Sequence, residues 1–306
     1  GIGAQIPFGQ RASTAIEHAR NEPQLGSLTP DSPSVRRVRL PAEQRELLWA
    51  AGNRSRDSAA NIVVRGRTTQ TVLSHNGVPT AVTSPLGCPS FMLNADAAAG
   101  AAIAEGWRRL TSRPLEPASM RLALLLPNLW SDSVCGMLFG LFVQYPRSFF
   151  VLQQDSDRAI IERARREYRL SHVDPARVLY YYDVEAWRTA LLGLDLVVGS
   201  RIHGAMMGHY ASVPSAVVAT DHRILELCAA MHVPHVVAVR QWLSKPAGRG
   251  GGSFDLNGFV RHVAPQFDGA KYDLTRATAA RVYVRLLESL GVAPSIALKG
   301  LARERA

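Results

Sequence analysis

Short apolar runs alternate along this chain with longer stretches in which apolar residues recur at every third or fourth position. The short runs are rich in valine, leucine and isoleucine, as buried strands are, and the longer stretches have the period of amphipathic helices. This alternation is typical of parallel strands joined by crossover helices. The sequence therefore predicts an α/β fold.

The first part of the chain carries two predicted helices and two predicted strands, followed by a loop of small residues. Gly77 follows the second helix, at the position where a glycine commonly ends a helix. The predicted elements are helix 41–51, strand 61–64, helix 68–76, strand 81–82 and loop 87–90. The segment 113–117, Arg-Pro-Leu-Glu-Pro, predicts a linker after them.

A second series of elements follows this linker. Its strands are predicted over 122–126, 149–153, 178–181, 194–198, 215–219 and 235–239, and its helices over 158–168, 184–192, 205–211 and 223–231. The tract 248–253 is low in complexity and predicts a mobile loop, and helical spacing predicts a last helix over 274–290. We therefore expect an N-terminal Rossmann-like domain over residues 1–113, a C-terminal Rossmann-like domain over 118–265 and a helical tail over 266–306.

Two such domains with their strand ends facing each other would enclose a cleft. Ligands of open α/β sheets bind just beyond the carboxyl ends of strands. The loop 87–90 and the segment 199–204 both fall at such ends, so we expect the functional site in this interdomain cleft.

The segment Gly199-Ser-Arg-Ile-His-Gly204 is the strongest candidate for chemistry, because it joins a predicted strand to a predicted helix. A glycine-bounded turn at a helix start directs several backbone N–H groups at one place, with the positive end of the helix dipole behind them. Arg201 adds a planar guanidinium for a phosphate or carboxylate, and His203 can give and take a proton near neutral pH. The structural alternative is that the arginine caps a sheet edge and the histidine bonds a neighbouring carbonyl.

Other candidate residues have structural alternatives that stay open. Gly87, Cys88 and Ser90 either line the site or form a plain turn, and with no base clearly placed beside them neither Cys88 nor Ser90 is identified as a nucleophile. Arg65 follows a strand, as Arg201 does, and either lines the cleft or forms a surface salt bridge.

Several acidic and metal-ligand patterns also favour structural roles. Asp221 is the natural N-cap of the helix that follows it, and we favour a helix cap over a metal site for Asp155-Ser-Asp157. The spacing of Cys228, His232 and His235 resembles that of metal ligands, but no fourth ligand is evident and no metal site is expected. The tract 248–253 lacks the ending of a phosphate-binding P-loop and predicts a lid or linker.

Composition excludes several classes of protein. Hydrophobic residues make up 47% of the 306 residues, which excludes a disordered chain. The formal charge of +10 comes almost entirely from arginine scattered over both halves, with no basic run interleaved with aromatic residues, so no nucleic-acid partner is expected. A diffuse positive field could attract a phosphorylated substrate or hold the protein at an anionic membrane surface.

The expected location is the cytoplasm, with association at the inner face of the membrane left open by the charge. The sequence contains neither a secretion signal nor an apolar run long enough to cross a bilayer. Its cysteines, Cys88, Cys135 and Cys228, are three in number and widely spaced, which suits a reducing compartment. The opening Gly1-Ile-Gly-Ala-Gln5 looks like the end of a strand, so we expect the natural protein to begin before it.

Four segments together resemble the polysaccharide pyruvyl transferases, a family whose two-domain arrangement is similar to that of the GT-B glycosyltransferases. The segments keep the family's order and spacing over roughly residues 1–235. They are Gly1 to Gln5; Val64 to Thr69 with Leu73 and Gly77; Gly87 to Ser90; and Gly199 to Gly204 with Val213-Pro214 and Asp221 to Leu227.

The resemblance implies transfer of pyruvate from phosphoenolpyruvate to a sugar, forming a ketal across two hydroxyls during assembly of a surface polysaccharide. Protonation of the donor's methylene carbon creates an oxocarbenium-like centre, which requires an acid and cations for the carboxylate and phosphate. His203 would be the acid, Arg201 the clamp, and the amides from Gly199 through Ser200 to Gly204 the phosphate site. The partners are phosphoenolpyruvate and a saccharide, with no metal or cofactor.

Two departures from the family pattern stand out. Many relatives place an arginine after the first strand of the second domain, where this chain has Pro127-Asn128, and a glycine-rich acidic loop near the start of relatives is absent. Two alternatives therefore remain: a GT-B glycosyltransferase that uses a nucleotide sugar, and a family member that binds ligands without turnover.

Overall fold

The first part of the chain folds around a small parallel sheet. The computed structural model describes residues 33–53, 60–168, 173–237, 239–243 and 253–303. The first elements are α1 (Pro33–Arg37), α2 (Ala42–Gly52), β1 (Ile62–Val64), α3 (Arg67–His75), β2 (Thr83–Pro85) and α4 (Ala99–Thr111). Strands β1 and β2 pair in parallel, with Ile62 opposite Thr83.

The second part is built on a larger sheet with helices between its strands. Its strands are β3 (Leu122–Leu125), β4 (Phe149–Leu152), β5 (Val178–Tyr180), β6 (Leu196–Gly199), β7 (Ser215–Val218) and β8 (His235–Val236). Its helices are α5 (Asp132–Gln144), α6 (Asp157–Glu167), α7 (Val184–Leu191), α8 (Ile202–Tyr210), α9 (His222–Met231), α10 (Leu256–Val263), α11 (Gly269–Ser289) and α12 (Ile296–Ala302).

The strands of the larger sheet are all parallel and lie in the order β5-β4-β3-β6-β7-β8. The direction in which successive strands are added therefore reverses between β3 and β6. In open α/β sheets, ligands bind outside the carboxyl ends of the strands at such a reversal. The segments that follow β3 and β6 are Leu126 to Asn128 and Ser200 to Gly204, so the predicted site segment lies at this reversal point.

The core explains why the central elements form where they do. Strands β3 and β6 are buried along their whole length, as expected of parallel strands covered on both faces. Helix α5 is buried on almost every side and packs into the same core through two rings that contact Phe150 of β4, with Phe142 stacked on it and Phe139 tilted against it. These contacts give the carboxyl edge of the sheet a rigid base.

Side chains join the first sheet's helices to the second part. Glu226 of α9 accepts hydrogen bonds from the Thr69 backbone N–H and from its hydroxyl, both at 2.8 Å. Thr68 of the same α3 helix bonds the His222 ring at 3.2 Å. The division into two domains at residues 113–117 and their GT-B-like arrangement stay predictions.

The structure corrects several predicted elements. The strand predicted over 81–82 is wrong, because residues 80–82 form a 3₁₀ turn from which Val82 packs onto the small core, and β2 follows it. Helices α1, α4, α5, α10 and α12 were not predicted individually. Helix α8 begins at Ile202 rather than at 205, so Arg201 is its N-cap residue and His203 lies in its first turn.

The described part of the chain contains no helix that combines the length and the apolar character needed to span a membrane. The predicted mobile loop falls almost entirely on residues outside the described ranges, as does the segment Gly1 to Gln5.

Candidate functional site

The turn between β6 and α8 is packed tightly against strand β3. A Cβ atom on Gly199 would lie 2.1 Å from the carbonyl oxygen of Leu125, and one on Gly204 would lie 2.6 Å from the Leu125 side chain. Both glycines are therefore required by this close approach. The N–H of Ser200 donates to the Leu125 carbonyl at 3.0 Å, and the Ser200 hydroxyl bonds Thr220 at 3.1 Å, so neither polar group of Ser200 is free for a ligand.

Arg201 is held inside the protein by three groups. Its Nε donates to the Leu126 carbonyl at 2.9 Å, one terminal nitrogen donates to the Pro127 carbonyl at 3.4 Å, and the same nitrogen forms an ion pair with Asp157. The Arg201 side chain is only 10% exposed and that of Asp157 only 1%. Arg201 thereby ties together the segments that follow β3, β4 and β6.

Asp157 completes this structural network. Its second oxygen accepts hydrogen bonds from the backbone N–H groups of Gln153 and Gln154 at 2.8 and 3.3 Å. Its neighbour Ser156 is the N-cap residue of α6, and its side chain makes no capping bond. The cap predicted for Asp155-Ser-Asp157 is thus replaced by an ion pair with Arg201. Burial lowers the pKa of the Arg201 guanidinium most, Asp157 opposes this shift, and the charge of nearby Arg223 adds to it.

His203 has the opposite environment on the same turn. It lies in the first turn of α8 and is exposed, where the helix N–H groups have no intrahelical acceptor and Arg201 supplies no side-chain cap. The imidazole lies beside the Cys88 thiol. The structure therefore brings the two predicted site segments, 199–204 and 87–90, into contact.

The segment 87–90 presents a polarised thiol to this histidine. Burial raises the pKa of the Cys88 thiol, but interactions with His203 and, secondarily, with the Ser90 hydroxyl and backbone outweigh burial and lower it to about 7. The Ser90 oxygen lies close enough to the thiol to contribute to this shift, although it forms no hydrogen bond of ordinary length. Cys88 is only partly buried.

Contacts from α9 and α11 fix the position of this segment. Gly87 has a φ of +79°, and a Cβ there would lie 2.7 Å from the Met231 side chain, so glycine satisfies both the backbone and the packing. The N–H of Cys88 donates to Met231 sulfur at 3.4 Å. Fully buried Arg276 of α11 donates to the carbonyl oxygens of Phe91, Asn94 and Asp96.

Arg65 lies at the carboxyl end of β1, on the other sheet. It is half-buried and forms no hydrogen bond or ion pair with any described residue. Next to it, a Cβ on Gly66 would lie 2.1 Å from the Glu226 side chain, so β1 ends in close contact with α9. Arg65 thus has no partner among the described residues, and its role in lining the cleft stays a prediction.

The structure gives several of the other predicted candidates structural partners. Asp221 is the N-cap of α9, with its carboxylate accepting from the Ile224 N–H at 2.8 Å, as predicted. His232 bonds Thr275 at 2.9 Å, and His235 bonds the Val233 carbonyl at 3.0 Å. Within the described ranges, no group of three or more histidine, cysteine, aspartate or glutamate side chains could hold a metal ion.

Reasoning from the sequence missed three relationships in the site. Asp157 is the ion-pair partner of Arg201, the predicted acid His203 interacts with Cys88, and Tyr283 of α11 lies near enough for the Cys88 charge to raise its pKa, although burial is the larger cause. For Asp157 and His203 the available signal was a position shortly after a strand, whereas Tyr283 lies within α11 and gave no such signal. That signal gives the edge of the sheet but not the partner across it.

Comparisons with known proteins agree with the predicted resemblance. The sequence model of a family described as polysaccharide pyruvyl transferase matches residues 44–222, which is more than half of the chain. No curated protein matches the chain.

Two solved structures of the wall teichoic acid polymerase TagF, one of them a variant, show a distant likeness. Each is 12% identical, covers 78% of this chain and is itself covered over 61% of its length, with TM-scores of 0.33 and 0.29. The chain thus spans about three fifths of those polymerases, and at these scores the likeness supports no inference about activity.

Proposed function

Because this chain belongs to the polysaccharide pyruvyl transferase family, we propose that it transfers pyruvate from phosphoenolpyruvate to two hydroxyls of one saccharide residue. The observation that carries the proposal is the exposed imidazole of His203 in the first turn of α8, at the reversal point of the larger sheet. An acid–base group and a helix N-terminus meet there, as the transfer of an anionic donor requires.

The reaction needs one proton added to carbon and two removed from oxygen. Protonated His203 gives its proton to C3 of the donor, which breaks the C2=C3 π bond and leaves an oxocarbenium-like centre at C2. The two acceptor hydroxyls form the two new bonds to C2, and the bond from C2 to the phosphate oxygen breaks. One hydroxyl proton returns to His203 and the other leaves with the phosphate, so the products are the ketal and hydrogen phosphate.

Two kinds of positively charged or hydrogen-bond-donating group suit the negative charges of the donor. The free N–H groups in the first turn of α8 and the positive end of its dipole suit a phosphate. Arg65, which has no partner among the described residues, suits the carboxylate. Arg201 supports the site from within by holding the turn through Asp157, Leu126 and Pro127.

The segment Pro127-Asn128 lacks the arginine that many relatives have at this place, but it has another role in this arrangement. The carbonyl of Pro127 accepts from Arg201, so the chain that follows β3 is used to hold the guanidinium of Arg201 rather than to add another cation. Donor binding then depends on Arg65 and the α8 amides.

A donor comparison tests the proposal. The protein is incubated with phosphoenolpyruvate and a panel of saccharides, and phosphate release is measured together with the mass of the saccharide product. Parallel reactions contain nucleotide sugars in place of phosphoenolpyruvate. We expect saccharide-dependent phosphate release and a product heavier by one pyruvate less one water. Sugar transfer from a nucleotide sugar, with phosphoenolpyruvate untouched, would contradict the proposal and favour a glycosyltransferase.

A further inference from the structure

The three cysteines occupy two different kinds of environment. Cys135 and Cys228 are buried, and burial raises the pKa of the Cys135 thiol to about 12 and that of Cys228 even further. Cys88 is partly exposed and has a pKa near 7. Near neutral pH, Cys88 is therefore the cysteine with a substantial thiolate fraction, which is the nucleophilic form.

Polar and titratable side chains from neighbouring helices interact with Cys88. The titratable side chains that interact with its sulfur from the neighbouring helices are His203 of α8 and Tyr283 of α11. The Tyr283 hydroxyl oxygen is buried and has no hydrogen-bond partner among the described residues, and it is close enough to feel the Cys88 charge. An unpartnered buried hydroxyl leaves hydrogen-bonding capacity that a bound ligand would satisfy.

The backbone holds this thiol in place before any ligand arrives. Met231 fixes the Cys88 N–H, and Gly87 packs on the same methionine. Asn94, farther along the segment, donates to the carbonyls of His209 and Tyr210 at the end of α8, at 3.3 and 3.2 Å. The segment that carries Cys88 is thus bonded to the helix that carries His203, so the thiol and the imidazole keep their relative positions.

We propose that Cys88 is the nucleophile of this site and captures the donor covalently, with His203 as its acid–base partner. This inference rests on phosphoenolpyruvate being the donor. His203 gives a proton to C3 while the Cys88 sulfur bonds to C2, and the C2=C3 π bond breaks with the phosphate still attached to C2. Covalent capture divides one difficult transfer into easier steps and shields the reactive carbon from water.

The remaining steps return both residues to their starting forms. The first acceptor hydroxyl displaces phosphate from C2, and its proton leaves with the phosphate. The second hydroxyl displaces the Cys88 thiolate from C2, and its proton passes to His203. The products are the same ketal and hydrogen phosphate, and no oxidant, reductant or metal takes part.

The first test measures the thiol without any donor. The native protein is treated with iodoacetamide over a range of pH, and alkylation of each cysteine is followed by peptide mass spectrometry. We expect Cys88 to react with a midpoint near pH 7, whereas Cys135 and Cys228 react only after unfolding. His203→Gln should move the Cys88 midpoint upward. Equal protection of all three cysteines would overturn the assignment.

The second test looks for the adduct. The wild-type protein is mixed with phosphoenolpyruvate without acceptor, quenched in acid and digested. The peptide that contains Cys88 should be heavier by one phosphoenolpyruvate, the increase should vanish in Cys88→Ser, and Cys228→Ala should keep it. An unmodified Cys88 peptide in the wild type would overturn the covalent step.

Turnover separates this inference from the proposed function. Cys88→Ala should lose at least about 100-fold in phosphate release, because the variant lacks the nucleophile on which the covalent step depends. Wild-type turnover in Cys88→Ala would refute the covalent step and leave pyruvyl transfer standing. If the wild type releases no phosphate from phosphoenolpyruvate with any saccharide of the panel, the proposed function itself fails, whatever the alkylation experiment shows.

Discussion

The first and last turns of helix α8 both carry a histidine, and the two have opposite surroundings. His203 in the first turn is exposed and interacts with the Cys88 thiol. His209 in the last turn is 1% exposed, is packed edge-on against Phe267 and Tyr272, and has no hydrogen bond at either ring nitrogen within the described residues. Burial, with the charge of Arg276 adding to it, lowers the pKa of His209 to about 3.

The difference shows that residue type alone does not identify chemistry. Exposure at a helix N-terminus makes His203 available to a donor, whereas enclosure among aromatic rings keeps His209 neutral and inert. Arg201, only two residues from His203, is as firmly held as His209, because Asp157 and two carbonyls occupy its guanidinium. One helix thus carries an exposed histidine at one end and firmly held basic residues beside it and at the other end.

The largest expected effect concerns His203. His203→Gln should reduce pyruvyl transfer by about 100- to 10,000-fold, because glutamine cannot exchange a proton with the donor carbon. The melting temperature should stay unchanged, since the side chain is exposed. His75→Gln, at another exposed histidine, is the matched control for both readouts. A turnover rate in His203→Gln equal to that of the wild type would show that His203 in the first turn of α8 has no more part in catalysis than His209 in the last turn.

The next largest expected effect is a loss of stability when Arg201 is replaced. Arg201→Met should reduce the free energy of unfolding by about 3–5 kcal/mol, because it leaves the buried Asp157 carboxylate without its partner. Replacing Asp157 as well, in Arg201→Met with Asp157→Leu, should recover part of the loss, and denaturant titration measures both. A fully stable Arg201→Met that no longer binds phosphoenolpyruvate would instead support the clamp role that the sequence predicts.

The smallest expected effect is on the pH dependence of stability, and it concerns His209. In the unfolded chain His209 binds a proton below about pH 6.5, whereas in the folded protein it does so only near pH 3. Protonation therefore favours the unfolded chain, and the wild type loses stability as the pH falls below 6.5. At pH 5 this cost is about 2 kcal/mol. His209→Leu should lose that share of the acid sensitivity while the other histidines keep theirs. Equal pH profiles for the variant and the wild type would show that His209 is not held neutral.

The sequence predicts the location of the site better than it predicts the contacts between the residues of the site. The glycines of segment 199–204 and the apolar run before them were enough to predict a strand exit at the edge of the sheet, and the loop 87–90 was assigned to a strand end facing the same cleft. The ion pair of Arg201 with Asp157 was not predictable, because it depends on β4 lying beside β3, which places a loop 44 residues away next to the turn. The proximity of Cys88 and His203 depends likewise on how α8 packs on a distant segment.

The fold shows the same limit. Strands β3 and β6 were predicted because buried parallel strands are continuous apolar runs. Helix α5 was missed because it is buried on nearly all sides and lacks the polar face by which an amphipathic helix is recognised. Strand β2, Thr-Ser-Pro, was missed because its own residues are polar and the apolar Val82 lies in the turn before it. In each case tertiary packing decided what periodicity could not.

The most direct measurement of the central claim is a titration of the histidine ring resonances with phosphoenolpyruvate by NMR. The resonances of His203 and His209 are assigned by their loss in His203→Gln and His209→Leu. The donor should shift the His203 resonance in a saturable manner and leave that of His209 in place. A His203 resonance that does not move at donor concentrations that sustain turnover would contradict the claim that the donor binds at the first turn of α8.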